Sequence, residues 1–406
     1  MNILCIAPST PIPISGGRRH VYQVLKYLAN RNTIDLIATE DKSISESISS
    51  KYTLNFLHSF HKCTIRYTSS KKEKFLSIIG LWSEFKRFNI KELSQLINHA
   101  FQTTNPDIII IQELCMVEPT LKSLAEFNSL ENIPVVCVAH NDEANLVQSK
   151  GSEKNPVIRF MYKLAFKSAK RYQSAWLSKV NAIVCLTLED YSSIQQIISK
   201  ESMKYLLFGN GVDTSQFTSN LPKLQNSHSN SILFMGDYTY PPNLQSIVWF
   251  INLVLPHIKQ KLVLIGLPPE KKYVELFTSN PKIDFKGLVD NVVPHIAKAD
   301  ICIAPILSGS GSRLKILEYL SMQKIVFSTT LGVQGLQLES NKHYLECNKS
   351  EDFINNCNNF SLNPDQYFEL GLNGRAFVEE NWDWNQLIPK FELFLEDLIQ
   401  SPLKNI

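Results

Sequence analysis

Short apolar, β-branched runs alternate with amphipathic helical stretches from one end of the chain to the other. That rhythm narrows the fold to parallel sheets covered by helices on both faces. Strands buried on both sides read as continuous apolar runs instead of alternating patterns. In the first half the runs are NILCIA (Asn2–Ala7), IDLIAT (Ile34–Thr39), CTIRY (Cys63–Tyr67), DIIII (Asp107–Ile111), VVCVA (Val135–Ala139) and AIVCLT (Ala182–Thr187). Helices are predicted between them, among others at His20–Asn30, where Val21, Val24, Leu25 and Leu28 recur at helical spacing, and at Val157–Lys179. The second half restarts the alternation with SILFMG (Ser231–Gly236), KLVLIG (Lys261–Gly266), ICIAP (Ile301–Pro305) and IVFST (Ile325–Thr329).

Between the halves, NLPKLQNSHSNS (Asn220–Ser231) is polar, carries a proline and shows no periodicity, which reads as a linker. The chain has 406 residues, more than the roughly 250–300 that one core sustains. Two domains are therefore expected, residues 1–219 and 220–380. Forty-one basic against 38 acidic residues leave a formal net charge of +3. That is too little for affinity built on neutralising many phosphates, so no nucleic-acid partner is expected. The eight cysteines form no CxxC pair, and Cys5, Cys137, Cys185 and Cys302 sit inside apolar runs, as buried thiols do in a reducing compartment. The start, MNILCIAPST, enters a strand directly, without the basic and apolar regions of a leader. No run approaches the ~20 apolar residues that span a bilayer. The expected location is cytoplasmic, soluble or peripheral at the inner face of a membrane.

Ligands of open parallel sheets bind beyond the carboxyl ends of the strands, so the loops after strands carry the candidate residues. After the first strand, Gly16 and Gly17 precede a helix. Adjacent glycines at a helix N-terminus suit an anion, and equally suit a tight strand-to-helix turn. His140 opens HNDE after Val135–Ala139, where it would contact a hydroxyl or handle a proton, or where Asn and Asp simply make a turn. Gly236, Asp237 and Asn243 lie in MGDYTYPPN, with Asn243 as a candidate helix N-cap. After ICIAP comes GSGSRLKILEYL, in which small Gly309, Ser310, Gly311 and Ser312 leave room for a ligand. A helix over Arg313–Met322 would gather Leu314, Ile316, Leu317 and Leu320 on one face. Its N-terminus, Arg313 and Lys315 would meet a diphosphate, while Glu318 accepts hydrogen bonds from a ribose diol. The plainer reading makes Lys315 and Glu318 an i,i+3 ion pair.

Taken in order, SGGRRHVYQVLKYL, HNDE, NGVDTSQF (Asn210–Phe217), FMGDYTYPPN, GLVDNVVPHIAKADICIAP (Gly287–Pro305) and GSGSRLKILEYLSMQKIVFSTTLGVQGL resemble glycosyltransferase family 4, a group of GT-B fold. The resemblance spans nearly the whole chain. It implies an α/β protein of two Rossmann-like doubly wound domains facing a central cleft. The first would bind the acceptor and the second a nucleotide-diphosphate-sugar donor, with a C-terminal helix in 381–406 crossing back to the first domain. It further implies a retaining hexosyl transfer that needs neither metal nor cofactor, to a glycan or lipid-linked acceptor in bacterial polysaccharide biosynthesis. Carried over by position, Gly16 and Gly17 lie near the donor phosphates and His140 beside the donor sugar. Arg313 and Lys315 hold the diphosphate and Glu318 the ribose. Gly236, Asp237, Asn243, Ser310, Gly311 and Ser312 complete the donor site, with backbone groups around Leu288 and Val289 meeting the base.

Two positions depart from the family pattern. Ser310 stands where the first acid of an E-x7-E motif belongs, and Gln173 stands in RYQ where many members have Tyr-Glu. Two other readings share the fold: a nucleotide-sugar 2-epimerase, and a nucleotide-sugar-binding protein silent in catalysis. Separately, KKEKFLSIIGLWSEFKRF (Lys71–Phe88) interleaves basic and large apolar residues. It would lie on an anionic bilayer, or pack as a helix on the first domain.

Overall fold

A computed structural model describes residues 1–12, 16–39, 54–63, 90–126, 133–145, 147, 156–198, 200, 202–218, 230–309 and 313–401. The expected linker up to residue 229, the loop residues Ser310, Gly311 and Ser312, and the segment 71–88 lie outside them. The chain divides into two compact units, residues 1–209 with 388–406 (unit 1) and residues 210–387 (unit 2).

Unit 1 is built on β1 (Asn2–Ala7), α1 (Gly16–Leu28), β2 (Thr33–Thr39), β3 (Ser59–Cys63), α2 (Ile90–Thr103), β4 (Ile108–Gln112), α3 (Val117–Leu124), β5 (Val135–Ala139), α4 (Pro156–Leu177), β6 (Ala182–Cys185), α5 (Leu188–Ile197) and β7 (Lys204–Leu207). Its strands pair in parallel in the order β3-β2-β1-β4-β5-β6-β7. Central strands are sealed on both faces. Cys5 of β1 lies opposite Leu36 on one side and Ile110 on the other, and all three are buried. Helix α1 buries Val21, Val24, Leu25 and Leu28, the stripe that the spacing predicts.

Unit 2 contains β8 (Ser231–Met235), α6 (Pro241–Leu253), β9 (Lys261–Ile265), α7 (Lys271–Ser279), β10 (Ile283–Gly287), α8 (Val293–Lys298), β11 (Ile301–Ala304), α9 (Leu314–Ser321), β12 (Ile325–Ser328), β13 (Leu345–Glu346), α10 (Ser350–Leu362) and α11 (Phe368–Asn381). The parallel order is β10-β9-β8-β11-β12-β13. Helix α12 (Trp384–Gln400) begins in unit 2 and from Ile388 belongs to unit 1, with Pro389 inside it. In unit 1 its Phe391 stacks on Phe208 at 4.7 Å between ring centroids, and its Glu392 accepts from Asn32 at 2.7 Å.

The apolar runs locate the interior strands and miss the edges. β7, β10 and β13 have no counterpart among them, and β3 overlaps the predicted CTIRY run only at Cys63. All four are terminal in their sheets. An edge strand has a ladder partner on one side only and stays part-exposed, so KYLL and IDFKG are less continuously apolar than the central runs.

Candidate functional site

In unit 2 the strand order reverses between β8 and β11, and the crevice at such a switch point is where open parallel sheets take ligands. The loops leaving β8 and β11 meet there. Lys315, in the first turn of α9, donates from Nζ to Asn243 Oδ1 at 3.0 Å and stands 4.1 Å from the centroid of the Phe234 ring. Asn243 in turn donates from Nδ2 to the Asp237 carbonyl at 2.9 Å. Asn243 is not the N-cap that its position suggests. Two prolines start α6 at Pro241 with Tyr240 as N-cap, which leaves the Asn243 amide in the first turn, facing the loop and the lysine.

Glycine makes this arrangement possible. A Cβ on Gly236 would lie 3.2 Å from Lys315 Nζ and 3.1 Å from Asn243 Cγ. One on Gly266, where φ is 141°, would lie 1.7 Å from the Gly236 carbonyl oxygen. Gly309 has φ 89°, and its carbonyl accepts from Arg313 Nη2 at 3.1 Å. Arg313 is the N-cap residue of α9, and Glu318, one turn into the helix, is buried.

Burial pushes the Lys315 ammonium down from 10.5 to about 7, the Arg313 charge acts the same way, and Glu318 opposes both. Two cations at a helix N-terminus, one reluctant to keep its proton, form a site that an anion would relieve. The Asp237 carboxylate is held by its own loop, accepting from the N–H and hydroxyl of Thr239 at 2.8 and 2.6 Å. Leu288 and Val289 follow β10, which β9 separates from β8, so they stand along the same sheet edge and not in the lysine cluster. Exposed Tyr240, Leu267, Leu288 and Leu307 follow β8, β9, β10 and β11 in turn and give that edge an apolar rim.

Unit 1 has its own switch point, between β1 and β4. Gly17, at the start of α1, and His140, just past β5, are brought together. A Cβ on Gly17 would come 3.0 Å from His140 Nδ1. His140 shares its Nε2 with Gln112 Oε1 at 3.1 Å, and the ring lies edge-on to His20 with centroids 5.6 Å apart. Burial lowers the His140 pKa to about 4, so the ring is neutral at ordinary pH. Asp142, the third residue of HNDE, has the bland role. Its carboxylate accepts from the Asn145 N–H at 3.2 Å and from Ser193 Oγ.

The architecture has close counterparts among solved structures. Sucrose-phosphate synthase from Thermosynechococcus elongatus superposes with a TM-score of 0.70 at 12% identity, over 99% of this chain and 100% of that one. A glycosyltransferase from Rickettsia africae gives 0.69 at 16%, over 99% of each chain. Anabaena HepE, solved with UDP and glucose, gives 0.67 at 13%, over 98% of this chain and 100% of that one. The fold is GT-B. In this GT-B chain residues 229–361 match the model of the family Glycosyl transferases group 1, a span that includes Gly236, Asn243, Arg313, Lys315 and Glu318. A protein described as an uncharacterized 44.6 kDa protein in the cps region of Klebsiella pneumoniae is 22% identical over 407 residues, 94% of this chain and 96% of that one.

Sequence reasoning passed over His20, Gln112 and Glu113, which surround His140. The signal was present for two of them: Gln112 and Glu113 directly follow the Ile108–Ile111 run, at a strand's carboxyl end in the sheet's middle.

Proposed function

We propose that the protein is a retaining glycosyltransferase that moves a hexosyl group from a nucleotide-diphosphate-sugar to a glycan or lipid-linked acceptor in polysaccharide biosynthesis. The observation that carries this reading is Lys315, lodged beside Asn243 and Gly236 at the switch point of unit 2 with Arg313 at the same helix N-terminus. The match of that unit to Glycosyl transferases group 1 supports the chemistry, and the relative from a cps region supports the pathway class. Uridine is the first donor base to test, because HepE was solved with UDP.

In this reading the donor's anomeric C–O bond breaks and its electron pair goes to the diphosphate. The acceptor hydroxyl adds to the same face and passes its proton to a leaving phosphate oxygen. Arg313 and Lys315 meet charge that grows as the bond breaks, which is where a fixed cation accelerates most. Glu318 takes the ribose hydroxyls, the apolar rim around Leu288 borders the base, and neutral His140 hydrogen-bonds a hydroxyl. Side-chain cations serve in place of a metal ion, so activity is expected to survive EDTA. Among the described residues no helix is long and apolar enough to cross a membrane. We further propose peripheral contact through Lys71–Phe88 at the cytoplasmic face, to be checked by cosedimentation with anionic vesicles.

Calorimetric titration with UDP-, GDP- and dTDP-sugars tests the proposal, followed by NMR of any product. One donor class should bind, Arg313→Ala and Lys315→Ala should each weaken it about 10- to 100-fold, and the sugar released should keep the donor's anomeric configuration. An isomerised donor would indicate an epimerase, and tight binding without turnover on any acceptor a silent module. Absence of heat with every donor ends the reading.

A further inference from the structure

Glu113 stands in a backbone conformation that its residue type does not favour. Its φ of 68° and ψ of 146° lie outside the left-handed helical region, and non-glycine residues hold such angles only where the surroundings impose them, often at functional sites. A glycine would relieve the backbone, yet the chain keeps a carboxylate.

The geometry around it gives the strain a use. The Glu113 N–H donates to the Val138 carbonyl at 2.9 Å, which ties the residue to β5. Its Oε1 then lies 3.9 Å from His140 Nδ1, while Oε2 faces Cys115 Sγ at 3.9 Å. The His140 side chain is only 5% exposed. With Nε2–H given to Gln112, the neutral ring presents Nδ1 as a lone pair, and among the described residues that atom has no hydrogen-bond partner. Buried acceptors are seldom left unmatched, and such an atom points to a ligand. The space in front of it is kept by Gly17, whose missing Cβ would sit 3.0 Å away. Desolvation raises the Glu113 carboxyl above its usual range, against the Cys115 hydrogen bond and the Arg18 charge, and the side chain stays 39% exposed, open to a ligand.

We propose that Glu113 extends the sugar contact already given to His140 into a two-acceptor subsite in unit 1, Glu113 Oε1 accepting from the pyranose hydroxyl next to the one that meets His140 Nδ1. This rests on the nucleotide-sugar reading for the kind of molecule that enters, and makes Glu113 a specificity-determining residue. Two acceptors 3.9 Å apart suit a vicinal diol, whose hydroxyls each have one proton to give.

The test uses the full chain with 15N-labelled histidine, as wild type, Glu113→Gly, Glu113→Ala and Glu113→Gln. Each is titrated with the methyl glycosides of glucose, galactose and mannose, with the matching UDP-sugars, and with UDP alone. At least one sugar or UDP-sugar should move the His140 Nδ1 resonance in wild type, and the response should weaken at least tenfold in all three variants. UDP alone should bind all four proteins equally. Glu113→Gly should melt about 2–4 °C above Glu113→Ala, since both lack the carboxylate and only alanine keeps the strain. If no sugar moves His140 while UDP binds, the subsite is wrong and the donor reading stands. If the variants respond as wild type does, Glu113 is structural only. If a methyl glycoside moves His140 but no nucleotide binds, the subsite stands and the donor reading fails.

Discussion

At the residue scale, the most informative group is Lys315, because its placement opposes its own charge. An unfolded chain keeps the lysine protonated up to 10.5, whereas the folded chain releases that proton near 7. Between those values the unfolded state binds more protons, so wild-type stability should climb as pH rises through that window, with the full penalty present below about 7. Lys315→Met should abolish that slope and raise the melting temperature at pH 7, while nucleotide affinity falls at least tenfold; chemical denaturation at several pH values, with calorimetry, checks both. Wild-type affinity for a diphosphate should also decline above about pH 7 as the ammonium is lost. His140 should titrate near 4 by NMR, far below the ~6.5 of a solvated imidazole. Glycine is just as decisive at 266. Gly266→Ala would drive a methyl against the Gly236 carbonyl and should cost about 3 kcal/mol or more, measured by urea denaturation, or prevent folding.

At the element scale, helix ends explain several polar residues that carry no chemistry. Lys324 donates to the carbonyls of Ala297 and Ala299 at 2.6 and 2.7 Å, where α8 runs out of its own donors. Lys324→Met should therefore destabilise unit 2 by about 1.5–3 kcal/mol without altering nucleotide affinity, readable in paired melting and binding curves. Strands divide along the same physical line. DIIII and VVCVA announced themselves because both faces are buried, whereas KYLL, IDFKG and the two-residue β13 are edges on which burial places weak demands. Helix α9 was legible from its apolar spacing to within a residue at each end, since Ile316, Leu317 and Leu320 must all face the core of unit 2. Asn243 was not read correctly, because Pro241 and Pro242 moved the helix start ahead of it.

At the scale of the whole molecule, the two units need not respond alike to ligand. UDP should slow hydrogen exchange in β8, β11 and α9 far more than in β1, β4 and β5. At a hundred times Kd, the bound form gains about 2.7 kcal/mol. Equal protection in both units would place the nucleotide elsewhere. The order of apolar runs by itself determined that this chain makes two parallel α/β sheets, because a strand's burial on both faces is written in consecutive residues. It also marked Gly17, His140 and Gly236 as residues at or just past strand ends, and Lys315 as a first-turn residue of a helix that follows a strand. Only the tertiary structure decided which loops meet, since strand order sets which carboxyl ends are neighbours. It alone showed that Gly236 clears space for Lys315, and that Glu113 holds a strained backbone beside an unmatched His140 nitrogen. Those facts arise from atoms brought within 4 Å by strands far apart in the chain, a relation no local pattern records.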